Sequence, residues 1–244
     1  CIRDRFGSRS ATNSHRLAAM ALDGDPDIVT RALIKGFRGL DKEIINTPLE
    51  LLKQYELSLA SVSKKHSAGD DAHSLSSLAH SIWPSSLGQP KNTSFSTMSQ
   101  GSAFESILPA ISGSCALMVY VDSARHDLYV ASTGDSRAVA GYWDERAGRW
   151  EVEALSVDQT GRNPAEVRRI QREHPPEEAP YVIQRGRVLG GLEPTRAFGD
   201  SRYKWDRRTQ QRIAEAFLPD KYRRGVPRAL KTPPYVTAEP LVQW

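Results

Sequence analysis

Apolar positions recur every three or four residues from Val29 through Leu33, Phe37 and Leu40 to Ile44, a spacing that predicts a helix with one buried face. Its start is marked by Asp25 as a cap, Pro26 at the first helical position and Asp27 complementing the positive end of the helix dipole. Asn46-Thr47-Pro48 predicts its end, because proline has no N–H and clashes with the preceding turn. A second helix is expected over Leu49–Leu59. Residues 1–24 show no periodicity and are expected to form a ragged end. From 61 to 100 serine dominates and large apolar residues are few, which predicts a flexible insertion unable to offset its ordering entropy by burial. His66, His73 and His80 are evenly spaced in this stretch, but no rigid scaffold accompanies them, and a metal site is not expected there.

Beyond Ile107 the pattern turns to β. Ser114–Val121 and Leu128–Ser132 are apolar and β-branched, joined by the polar link Asp122–Asp127, which predicts a hairpin. Ala138–Trp143 and Trp150–Ser156 form a second pair about the turn Asp144–Arg149. Asn163 and Pro164 then open a helix that runs to about Glu173, with Val167 and Ile170 facing inward. A further helix is expected over Asp206–Phe217 and a last strand over Tyr235–Val242. Strands joined by short links argue for antiparallel pairing, and the grouping of strands and helices argues for an α+β fold.

Composition adds limits. With 244 residues, 39% hydrophobic and 25% charged, the chain has the make-up of a globular protein and is expected to form one domain. Its longest apolar run, Cys115–Val121, is far too short to span a bilayer. The chain opens on Cys1 without a signal-peptide pattern, so a fragment or processed product is expected. Its two cysteines, Cys1 and Cys115, make no disulfide framework, and Cys115 reads as a small core residue. The net charge of +4 is carried largely by a basic C-terminal third, including Arg185, Arg187, Arg196, Arg202, Lys204, Arg207, Arg208, Arg212, Lys221, Arg223 and Arg224. Such a run is either a solvated surface or an attractor for phosphorylated or acidic protein substrates. No RNA-stacking motif or zinc-finger spacing accompanies it, so nucleic acid is not an expected partner.

The segment richest in candidate chemistry is Ala131-Ser132-Thr133-Gly134-Asp135-Ser136-Arg137-Ala138-Val139. A strand enters a Gly-Asp turn and another strand leaves it, which would project the Asp135 carboxylate from a rigid platform. A carboxylate so held suits a hard cation such as Mg2+ or Mn2+. Taken alone, a Gly-Asp pair in a hairpin is usually just a turn.

An ordered series of further segments surrounds it: Ile111-Ser112-Gly113-Ser114-Cys115-Ala116, Ser156-Val157-Asp158-Gln159, Arg162-Asn163-Pro164-Ala165-Glu166-Val167-Arg168-Arg169-Ile170, Gly186–Leu192, and Thr195-Arg196-Ala197-Phe198-Gly199-Asp200. From Ile111 to Pro240 this series resembles the type-2C metal-dependent serine/threonine protein phosphatases. Glu173-His174-Pro175 and Lys231–Pro240 narrow the likeness to the branch that acts on pyruvate dehydrogenase. The resemblance implies a two-sheet antiparallel β-sandwich flanked by helices, here truncated at both ends, with residues 1–244 a partial phosphatase domain interrupted by the 61–100 insertion. It implies hydrolysis of phosphoserine or phosphothreonine on proteins by water activated by Mg2+ or Mn2+. A phosphoprotein of the pyruvate dehydrogenase complex becomes the implied partner, and mitochondria, failing that the cytoplasm, the implied location.

Residue by residue, the likeness makes Asp135 a metal ligand, Asp200 a residue supporting the site from behind, and Arg196 a candidate phosphate-binding group, although Arg137 and Arg196 also suit structural ion pairs. For Asp200 the competing reading is a turn with a salt bridge to Arg196 or Lys204. The family's Asp-Gly-His-Gly motif is missing, Asp23-Gly24-Asp25-Pro26 matching it only superficially, as are the C-terminal Asp-Gly-Leu-Trp-Asp and Asp-Asn motifs. Gln159 stands where the family commonly has histidine. The 244-residue chain alone is therefore expected to be inactive. The alternative reading is an inert phosphatase-like module that binds or regulates without turnover.

Overall fold

The computed structural model describes residues 25–66 and 100–244. The ragged end expected over 1–24 and the flexible insertion, apart from its helical first six residues and Gln100, lie outside the described residues. Contacts divide the chain into two units. One contains Ser114–Phe198, Tyr235–Trp244 and the described residues up to Asp41; the other contains Gly199–Pro234 and the described residues of Lys42–Gly113.

Helix α1 spans Pro26–His66 without a break, 41 residues with Pro48 in its interior, so the two helices expected on either side of Pro48 are one. Proline removes one backbone hydrogen bond but leaves the helix phase intact. The apolar positions Ile44, Ile45, Leu49, Leu52 and Tyr55 keep their three-and-four spacing across it, and Leu52 is buried. Packing of that face outweighs the lost bond. Earlier in α1, Val29 and Phe37 are buried as expected, whereas Leu40 is half exposed and Asp41 takes the inward position. A second helix, α2 (Gln100–Ile111), was not legible as one in the serine-rich surroundings. Its Ala103, Ile107 and Ala110 are fully buried in the core of the second unit, with Trp205, Ile213, Phe217 and Leu218.

The first unit carries the β-structure. Strands β1 (Ala116–Asp122) and β2 (Asp127–Thr133) pair antiparallel from Ala116↔Thr133 to Asp122↔Asp127. The Asp122 carboxylate closes their turn by accepting from the Ala124 and Arg125 amides at 3.1 and 3.3 Å. Strand β2 is the centre of a three-stranded sheet, flanked on its other side by the C-terminal strand Leu241–Gln243. That strand is shorter than the expected Tyr235–Val242: Pro240, which has no N–H, interrupts the ladder, and Tyr235, Val236 and Ala238 are buried in a non-strand segment. Strands β3 (Val139–Asp144) and β4 (Arg149–Ala154) form a separate hairpin in the register Val139↔Ala154, with Trp143 and Trp150 edge to face at 5.8 Å. Helix α3 (Pro164–Glu173) is capped by the Asn163 side chain, which accepts from the Ala165 amide. In the second unit α4 (Arg207–Phe217) is capped by Asp206. Open antiparallel sheets with grouped helices make the chain α+β, as expected.

Candidate functional site at the Gly134–Asp135 turn

Strand β2 leads to the site. Its residues Tyr129–Thr133 are buried, and the Thr133 hydroxyl donates to the Ala238 carbonyl at 3.0 Å, anchoring the strand end. The chain then turns at Gly134, whose φ of 101° lies where a side chain is strained. Asp135 follows and is exposed. Its Oδ1 accepts from the Cys115 thiol at 3.1 Å. Cys115 is thus half-buried beside the turn, not the core residue its strand context suggested.

The segment Ser156–Gln159 supports the turn along its length. The Ala138 amide donates to Ser156 Oγ at 2.8 Å. Arg137 forms a two-pronged ion pair with Asp158, one prong at 3.0 Å. Hydrogen bonding to Arg137 holds the Asp158 carboxyl below its usual range despite some burial. The Gly134 amide donates to Gln159 Oε1 at 2.7 Å, and the Gln159 amide donates back to the Gly134 carbonyl at 3.0 Å. Gln159 is itself buried, its Nε2 donating to the carbonyl and hydroxyl of Ser132, both at 3.0 Å. Gln159, whose role the sequence left open, is therefore a support of the turn. The usable signal was its place in Ser156-Val157-Asp158-Gln159, a polar run following a strand.

Arg196, the phosphate-binding candidate, is buried, and its guanidinium is engaged within the fold. It donates to both oxygens of Glu166, at 3.1 and 2.7 Å, and to the Glu239 carbonyl at 2.7 Å. Glu166 also accepts from Arg169 at 2.8 Å and from the Thr195 hydroxyl at 2.7 Å. Burial would raise the Glu166 carboxyl, but the two arginines outweigh it and hold it at about 2, against an ordinary 4.5. This geometry supports the structural reading of Arg196. Its backbone carbonyl stays near the turn, within 3.2 Å of where a Cβ on Gly134 would lie.

Asp200 belongs to the other unit. It adopts a left-handed conformation with φ 47°, its amide donates to the Ser112 carbonyl at 2.8 Å, and its carboxylate rests against Gly113 with no room for a side chain there. The basic C-terminal third is largely used internally too. Arg187 pairs with Glu193, Arg212 with Glu56 and Arg223 with Asp220, while Arg202 and Arg207 donate to the Gly225 and Pro227 carbonyls.

An exposed carboxylate on a turn braced from behind suits a hard divalent cation as one ligand. Among the described residues, no three His, Cys, Asp or Glu side chains converge to enclose an ion, so Asp135 fits as a single donor and not as part of a closed cage.

Comparison with known proteins agrees with the motif series. A curated relative, the mitochondrial pyruvate dehydrogenase (acetyl-transferring) phosphatase 1 of Saccharomyces cerevisiae, is 53% identical over 138 residues, which are 55% of this chain and 23% of that protein. A protein phosphatase 2C homolog of Schizosaccharomyces pombe is 47% identical over 137 residues, 56% of this chain and 29% of its own. The bovine mitochondrial pyruvate dehydrogenase phosphatase 1 is 44% identical over 139 residues, 55% of this chain and 25% of its own. The chain thus spans about a quarter of the length of the curated relatives it matches. No described helix is long and apolar enough to cross a membrane. The family model described as Protein phosphatase 2C matches residues 56–243, and the chain belongs to that family.

Proposed function

We propose that this chain forms part of a protein phosphatase domain that hydrolyses phosphoserine and phosphothreonine on proteins. The observation that carries the reading is the family match over 56–243, which includes the whole braced turn that presents Asp135. Asp135 contributes one carboxylate to a Mg2+ or Mn2+ site whose remaining ligands come from outside the described residues. Such an ion would polarise the phosphoryl oxygens and the attacking water. The role left to the chain is positional: Ser156, Asp158 and Gln159 fix the turn, and the Cys115 thiol orients one oxygen of the carboxylate. In this reading Arg196 holds the fold and Asp200 sets the backbone at Ser112. The relatives named for pyruvate dehydrogenase and for mitochondria make a phosphorylated subunit of that complex the favoured substrate and mitochondria the favoured location.

The test is Asp135→Asn in the full-length protein, assayed on a phosphoserine peptide with Mn2+. Asparagine keeps the shape and can still accept the Cys115 hydrogen bond, but it lacks the anionic oxygen that a hard cation favours. Turnover is expected to fall about tenfold or more, part of it recovered at high Mn2+, while the melting temperature hardly moves. A folded, fully active variant with unaltered metal dependence would remove Asp135 from the site. No Mn2+- or Mg2+-dependent phosphatase activity in the wild-type protein would sink the function itself.

A further inference from the structure

Gly134 has no side chain to anchor it, and glycine's conformational freedom makes its φ of 101° only one of several backbone states open to it. Its orientation, and hence the direction in which Asp135 points, depends on hydrogen bonds to its own peptide groups. Both of these are met by one residue: the amide by Gln159 Oε1 at 2.7 Å, the carbonyl by the Gln159 amide at 3.0 Å. The other end of the same carboxamide donates to Ser132, two residues back along β2. Ser132 O and the Gly134 amide are the acceptor and donor that a neighbouring strand would pair with, and a carboxamide offers the complementary C=O and N–H in one rigid plane. The Gln159 carbonyl in turn accepts from the Thr195 amide at 2.8 Å, so Gln159 is not free to follow the turn if it moves.

We infer that Gln159 is a positioning residue: its carboxamide replaces a strand's peptide group at the end of β2 and thereby fixes where Asp135 presents its carboxylate. The inference rests on the reading of Asp135 as a cation ligand. Its mechanism is preorganisation. A ligand already held in place loses less freedom on binding the ion than one on a swinging turn, so the clamp acts on cation affinity and not on fold stability alone. The partial peptide-like match explains why glutamine serves here. Its acceptor and donor lie on one terminal carbon, spaced to reach Gly134 and Ser132 together.

The experiment uses the full-length protein stripped of metal, with Mn2+ binding read by calorimetry and the Gly134 amide read by hydrogen exchange. Gln159→Leu keeps the bulk and removes the three side-chain hydrogen bonds to Gly134 and Ser132, leaving the backbone bond to the Gly134 carbonyl. It is expected to weaken Mn2+ binding about tenfold or more. It is also expected to speed Gly134 exchange by roughly tenfold relative to the amides of β2. Gln159→Glu keeps the acceptor toward Gly134 but turns an oxygen toward the Ser132 carbonyl, and should fall between wild type and Gln159→Leu in both readouts. It stands in should the leucine variant not fold. In an Asp135→Asn background the Gln159 substitutions should change Mn2+ affinity by less than about twofold, since the clamp then has no carboxylate to aim. A lower melting temperature with unchanged Mn2+ affinity and unchanged Gly134 exchange would overturn the inference, as would an equal loss of affinity in the Asp135→Asn background. Wild-type protein that binds no Mn2+ would instead overturn the reading of Asp135, and Gly134 exchange would still decide whether Gln159 holds the turn.

Discussion

Replacing Glu166 with alanine should destabilise the fold by about 3–5 kcal/mol, the cost of removing one partner from a buried ion pair. The carboxylate serves three groups at once. Arg196 donates to both oxygens, while Arg169 at 2.8 Å and the Thr195 hydroxyl at 2.7 Å both donate to Oε2. Without it the buried Arg196 guanidinium keeps only the Glu239 carbonyl among these partners, and a charge is left in a site that excludes water. At roughly 2–4 °C per kcal/mol for a chain of this size, the melting temperature should drop by about 10 °C. The exposed pair Arg137–Asp158 is the control. Asp158→Ala should cost about 1 kcal/mol or less, because solvent screens the pair and competes for it.

Acid should reproduce the Glu166 effect in the wild type. The carboxyl is held at about 2 in the folded state, against 4.5 for the ordinary group. Folding therefore favours the ionised form, and the stabilisation it brings is fully present above about pH 4.5. It is lost as pH falls from there toward 2. Denaturant unfolding across that window should show wild type and Glu166→Ala converging from the high-pH side. A gap between them that stays constant down to pH 2 would show that the carboxylate's ionisation is not what Arg196 depends on.

The legible parts of this chain were those where local chemistry and tertiary structure agree. Asn163-Pro164 and Asp206 each start a helix where the sequence says they should, because cap and dipole effects act within one turn. The two hairpins were legible from alternating β-branched residues and short polar links, with ends shifted by one or two residues. Pro48 misled because a local rule was outweighed by a face of apolar residues that keeps its phase across the proline. Helix α2 was hidden for the opposite reason. Its buried positions are the small residues Ala103 and Ala110 around Ile107, so the periodic signal was weak although the packing is complete.

At the site, the turn and its exposed carboxylate were legible, and their supports were not. Asp135 is announced by its strand-turn-strand setting, which is local. Gln159 acts on Gly134 across 25 positions of sequence and Glu166 on Arg196 across 30, and nothing in the composition of either segment names its partner. Arg196 illustrates the consequence. An arginine in a motif offers the same guanidinium to a phosphate or to a buried carboxylate, and only the fold reveals that Glu166 has taken it.

Gly134→Ala is the substitution expected to harm the turn most directly. Two costs add there. The φ of 101° is one that residues with a side chain rarely adopt, and a Cβ would overlap the Cys115 side chain while lying 3.2 Å from the Arg196 carbonyl. Strain of the first kind costs of order 1–3 kcal/mol and overpacking of the second kind a similar amount, so a loss of roughly 2–6 kcal/mol is expected. Gly148, in the β3–β4 turn, separates the two. Its φ is 61° and nothing lies within 4 Å of where a Cβ would stand. Gly148→Ala therefore meets the conformational cost alone, about 1–2 kcal/mol. The clash at Gly134 also pushes against Cys115, whose thiol holds Asp135, so the damage should reach the carboxylate. Cys115→Ala relieves the contact with the sulfur and should recover part of the stability of Gly134→Ala, which a purely conformational penalty would not allow. Equal losses at Gly134 and Gly148, with no recovery from Cys115→Ala, would show that the close approach of Cys115 does not constrain the turn.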